Sequence, residues 1–71
     1  MKIGLYRYAA LSDSKPDNLY EYVKENGLKE SVWVYNDMLE ALEALPNFET
    51  TCKKEGNVYK IVCYALEREE E

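Results

Sequence analysis

The sequence predicts a small α+β domain: a two-layer sandwich with two helices on one face of a mainly antiparallel sheet of three or four strands, ending in a β-hairpin. Three observations carry this. Runs rich in tyrosine and β-branched residues open and close the chain, two helix-start signals lie between them, and an isolated Gly56 separates the last two runs. The expected order is β-α-(β)-α-β-β.

The first strand covers residues 2–11, which have no helical period. Residues 12–17, Ser-Asp-Ser-Lys-Pro-Asp, hold the start of the first helix. Ser14 as N-cap puts Asp17 at the third helical position, and Pro16 fits a first turn whose N–H lacks a partner anyway. Leu19, Tyr22 and Val23 form the apolar stripe as far as Asn26, and Gly27 supplies a left-handed stop. Residues 31–35, Ser-Val-Trp-Val-Tyr, read as a short strand from their β-branched and aromatic content, although Val32, Tyr35, Leu39 and Leu42 also fit one helical face. Asp37 caps a second helix with Met38, Leu39, Leu42 and Leu45 as its stripe and Pro46 as its end. Residues 48–53 and 58–66 flank a loop in which Gly56 takes positive φ. The domain is residues 1–66, and residues 67–71 form a charged tail.

Strand parity predicts which face the helices cover. With Cys52 opposite Tyr59, one face holds Phe48, Cys52, Tyr59, Ile61, Cys63 and Ala65. This more apolar set should meet the helices, together with Ile3, Leu5, Ala9 and Leu11 of the first strand. The other face then displays Tyr6, Tyr8, Lys60, Val62 and Tyr64, edged by Lys2 and Lys53. That tyrosine-bearing face is the first candidate partner-binding surface, because exposed apolar patches mark interaction sites and tyrosine suits interfaces. A homodimer through it is a related expectation. Cross-strand pairing of tyrosines accounts for the same residues without a partner.

Composition bounds the function. A chain of 71 residues buries only about 60% of its unfolded surface. Hydrophobic content of 46% excludes a disordered acidic chain. No apolar run reaches the ~18 residues of a membrane span, and Arg7 falls too early for a signal peptide. In the expected register Cys63 lies ~13 Å along the strand from the residue opposite Cys52, beyond the ~7 Å that a disulfide spans. Two free thiols suit a reducing, cytoplasmic setting. Without histidine, the two cysteines make neither a zinc site nor a Cys–His nucleophile, and the isolated glycines make no phosphate loop. No catalytic residue, metal or cofactor is assigned, and a non-enzymatic protein is expected.

The net charge of -5 is unevenly spread: +2 over residues 1–15, -6 over 16–49, +2 over 50–66 and -3 over 67–71. The sheet should be basic and the helices acidic. The acidic helical face of Asp17, Glu21, Glu25, Glu40 and Glu43 is the second candidate surface; such rows ordinarily serve solvation, but they also imitate phosphate spacing for a basic partner. The expected function is a small protein-binding module of adaptor or inhibitor type, suited to an accessory protein of a virus or plasmid. The alternative is nucleic-acid binding, with bases stacked on Tyr6, Tyr8 and Tyr64 beside Lys2, Lys53 and Lys60. The helix-helix-hairpin order of residues 16–66, with Lys53 and Lys54 at the wing, resembles the rear of a winged-helix domain. The short interval after Gly27 leaves no room for that fold's middle helix, and the second helix is acidic where DNA affinity needs phosphate neutralisation.

Overall fold

The computed structural model describes residues 2–69. The elements in chain order are β1 (Lys2–Ser12), α1 (Leu19–Asn26), β2 (Leu28–Tyr35), α2 (Met38–Ala44), a 3-10 turn (Leu45–Asn47), β3 (Thr51–Glu55) and β4 (Val58–Glu69). The strands form one antiparallel sheet in the order β2-β1-β4-β3. The α+β class, the element order and the C-terminal hairpin follow the sequence reading, and residues 31–35 are strand. Residues 67–69 of the expected tail are the end of β4, while Glu70 and Glu71 lie outside the described residues.

Local chemistry sets the element ends. The N-cap of α1 is Asn18, whose side-chain oxygen accepts from the Glu21 N–H at 3.1 Å. Ser14, the expected cap, instead lies in a short turn closed by the Ser12 hydroxyl. Asp37 caps α2 as expected, accepting from the Leu39 N–H at 3.0 Å. Gly27 has φ -96 and not the left-handed conformation. A glycine is needed there for space, since a Cβ would sit 2.5 Å from the Ala9 carbonyl oxygen and 2.6 Å from that of Val23. Gly56 does take positive φ, at 62°. It opens a two-residue turn between the paired Glu55 and Val58, the glycine position of a type II′ hairpin. Cys52 faces Ile61 instead of Tyr59, a two-residue shift that keeps the side chains of β3 and β4 on their expected faces; Phe48, expected on the face of Cys52, precedes β3 and packs on the opposite one.

β1 pairs with β4 without a break, so alternate residues define two faces. On the front, Tyr6, Tyr8 and Ala10 lie with Tyr59, Ile61, Cys63 and Ala65, and Val23 of α1 packs into them, flanked by Leu19 and Tyr22. On the back, Ile3, Leu5, Arg7, Ala9 and Leu11 stand opposite Arg68, Leu66, Tyr64, Val62 and Lys60. Ile3 and Leu5 are fully buried there. α2 contacts β1 and β2, with Ala41 as its buried residue. Phe48 then rests on Tyr64 of the same face, ring centroids 5.2 Å apart.

The two helices therefore cover opposite faces, which corrects the shared-face placement within the predicted class. β1 is a central strand covered on one side by α1 and on the other by α2, so both of its parities are apolar and alternation does not discriminate between them. The stripe on α2 is corrected too: Ala41 faces the sheet, while Leu39 is 68% and Leu42 51% exposed. A small residue lets so short a helix approach the sheet closely. Each fully buried Ile, Leu or Val contributes ~1.5–3 kcal/mol, and these residues divide between the two faces.

Candidate functional site

The structure separates the residues expected to form one sheet-face patch. Tyr6 and Tyr8 belong to the front face, where Tyr8 is only 5% exposed. Lys60, Val62 and Tyr64 belong to the back face. The five make no common surface, and the three-tyrosine stacking platform is divided in the same way. The acidic set is divided as well. Asp17 precedes α1, Glu21 and Glu25 lie on α1, and Glu40 and Glu43 lie on α2 across the sheet. All five are exposed.

The front face instead assembles a polar fastener. The Tyr8 hydroxyl donates to Glu67 and the Tyr6 hydroxyl to Glu69. Lys29 of β2 reaches across β1 to donate to Glu67 at 2.7 Å. Its ammonium lies 4.2 Å from the Tyr6 ring centroid, within cation–π range. The Tyr6 ring lies over Gly4, where a Cβ would come within 2.7 Å of it. The Lys29 hydrogen bond, then that from Tyr8, holds the Glu67 carboxyl below its ordinary range. The bond to Glu67 raises Lys29. Burial, then Glu67 as acceptor, pushes the Tyr8 phenol up. Each shift reinforces the charge state already held at neutral pH, so none brings a group toward the neutral poise that proton transfer uses.

The thiols follow the same logic. Cys52 and Cys63 are free, and burial pushes the Cys63 thiol up, the reverse of an activated thiolate. Among the described residues no group of three or more His, Cys, Asp or Glu gathers as a metal site.

The outer edge of β2 is different in kind. The β1–β2 register shifts between Leu5 and Tyr6, leaving Val32 without a partner. This bulge re-aims the side chains beyond it. Trp33 and Tyr35 stand opposite Leu5 and Ile3 on the back face, while Lys29 stands opposite Tyr8 on the front. Glu30 comes to the back opposite Arg7 and pairs with it at 3.6 Å. Both charges of β2 are thus drawn inward, toward β1 and β4. The remaining run of residues 32–35 carries no charge, and Trp33 is 63% and Val34 44% exposed. Beside it α2 presents Met38, Leu39 and Leu42, all exposed.

The opposite edge is blunted. β3 has five residues and displays Lys53, Lys54 and Glu55, which is how monomeric sheets protect an edge. Sequence reasoning assigned no role to the exposure of Trp33, Val34, Leu39 and Leu42. A signal was present: the only tryptophan lies in an uncharged run flanked by helices on both sides, with no hairpin partner.

A second open region is the half of the back face that α2 leaves bare. Arg7, Ala9, Leu11, Leu28 and Lys60 line an open cleft of about 490 Å³ there. No helix among the described residues is long and apolar enough to cross a membrane. Comparison with protein-family models, curated proteins and solved structures finds no match.

Proposed function

We propose that the chain is a small, non-enzymatic protein-binding module that takes its partner along the outer edge of β2. The observation that supports this reading is the contrast between the two sheet edges. β3 is short and lysine-bearing, whereas β2 is eight residues long, uncharged over residues 32–35, and continuous with the exposed leucines of α2. An open edge offers unpaired N–H and C=O groups to an added strand. Trp33 supplies the large, stiff apolar contact that binding hot spots favour. In this reading neither the divided tyrosine set nor the divided acidic set is the docking surface, and free thiols suit a reducing, cytoplasmic setting.

Affinity capture with the immobilised chain tests it. Partners held by the wild type should be lost with Trp33→Lys and with Val34→Lys. They should be retained with Lys60→Ala and with the Glu40→Gln, Glu43→Gln pair. Loss on the acidic pair alone would move the site to α2's charged flank and sink the edge reading.

A further inference from the structure

We infer that the occupant of this edge is a second copy of the chain, paired β2 to β2 in antiparallel fashion about a twofold axis at Trp33. The inference rests on the edge reading above and adds the partner's identity. A twofold interface needs a self-complementary patch. An axis perpendicular to the sheet at Trp33 sets that residue opposite its own copy, with Val32 facing Val34 and Ser31 facing Tyr35. No charged residue falls within this overlap, so none meets its like. The two indoles would stand on one face with Cβ atoms ~5 Å apart, as directly opposed cross-strand residues do.

The position of α2 favours a second copy over an unrelated strand. An added peptide would pair with the backbone edge but leave Met38 and Leu42 in water. A second copy brings its own α2 to the same side. With strands ~4.8 Å apart and α2 lying over β1 and β2, the two helices would run about 10 Å from one another, close to the spacing of packed helices. The exposed parts of Trp33, Val34, Met38 and Leu42 come to ~400 Å² per copy, or ~800 Å² for the pair, the size of a weak, reversible interface. The expected complex is a reversible dimer with a dissociation constant on the order of 10 µM. Each copy carries -5, so the copies repel at long range and added salt should tighten the dimer. A contact made by neutralising phosphate would respond in the opposite direction.

Sedimentation equilibrium across roughly 1–500 µM, spanning that constant, gives the mass directly. The single tryptophan reports its own burial through its emission. The mass should double as the Trp33 emission moves to the blue, both at lower protein concentration in high salt than in low. Trp33→Lys should weaken association by at least ~10-fold with an unchanged far-UV spectrum, while Lys60→Ala leaves it intact. Where Trp33→Lys fails to fold, Leu42→Lys, at a 51% exposed position on the flank of α2, should give the same loss. A monomeric mass throughout with unshifted emission overturns the inference, and so does a dimer that survives both lysine variants. A monomer that nonetheless captures a different protein through Trp33 defeats the second-copy assignment and leaves the edge reading standing.

Discussion

Leu5 and Leu11 carry the same side chain on the same strand and the same face, yet the structure gives them opposite weights. Leu5 is 0% exposed beneath α2, whereas Leu11 is 65% exposed on the bare half of the back face. Leu5→Ala loses the transfer free energy of the removed carbons and leaves a cavity. Such changes cost 2–5 kcal/mol, and a strand paired on both sides has little freedom to collapse, so about 3 kcal/mol is expected. Leu11→Ala gives up only the buried third of its side chain, or ~0.5–1 kcal/mol on the scale of full burial. A domain of this size has ~4–10 kcal/mol of stability in all. The melting temperature should therefore fall by roughly 12–24 °C for Leu5→Ala and by less than ~8 °C for Leu11→Ala. Urea denaturation followed by far-UV circular dichroism, at one low protein concentration, measures both differences with a common slope. Equal midpoints for the two variants would refute the placement of α2 over the Ile3–Leu5 half of the back face.

The fastener on the front face makes stability depend on pH. The Glu67 carboxyl is held below its ordinary range, so its contribution is present at neutral pH and is lost as pH falls through the folded-state value. Lys29 is raised, so its contribution is full below the ordinary ammonium range and is lost as pH rises beyond it. Glu67→Gln should accordingly unfold at lower urea than wild type at pH 7, with the difference closing in acid; a difference unchanged at pH 2 would sink the assignment. Gly27→Ala should cost ~1–3 kcal/mol by overpacking, because the atoms its Cβ would meet are both backbone carbonyl oxygens. Gly56→Ala should cost ~1–2 kcal/mol through its left-handed φ, although nothing lies within 4 Å of its Cβ. A neutral Gly27→Ala in the same urea titration would show that the α1–β1 contact gives way.

What the sequence disclosed and what it hid follow from how local each feature is. The Asp37 cap, the Gly56 turn and the Leu19–Tyr22–Val23 stripe depend on neighbours within a few residues, and all three stand in the structure. The faces of β3 and β4 were legible even with the register two residues out, because a shift of two preserves parity; Phe48 was not, since the chain before Thr51 is not strand and parity does not reach it. The face of β1 was not legible. Ile3 and Leu5 compete with Tyr6 and Tyr8 for the helix side, and only the tertiary placement of α2 shows that each pair has a helix of its own. The cap at Asn18 was masked by Ser14 and Pro16, which imitate a helix start four residues early. Leu39 and Leu42 are more apolar than Ala41, yet close approach to a sheet selects the smaller residue. The patch built from Tyr6, Tyr8 and Tyr64 inherited the β1 error, so the candidate site moved from a sheet face to a sheet edge.

The bareness of the β2 edge follows from the way β2 is held in the sheet. Without the bulge at Val32, Lys29 would share the back face with Trp33, away from Glu67, Tyr6 and Tyr8. With it, Lys29 crosses the front of β1 to Glu67 while Glu30 meets Arg7 behind. These two pairs fasten β2 to its neighbours from both sides. The same pairs draw inward the only charges that could have protected the strand's outer rim, and both helices are committed to the faces. Stability of the monomer and exposure of the edge are in this way one property of a single irregular residue, because a strand whose ion pairs point inward leaves Trp33 in water at its rim.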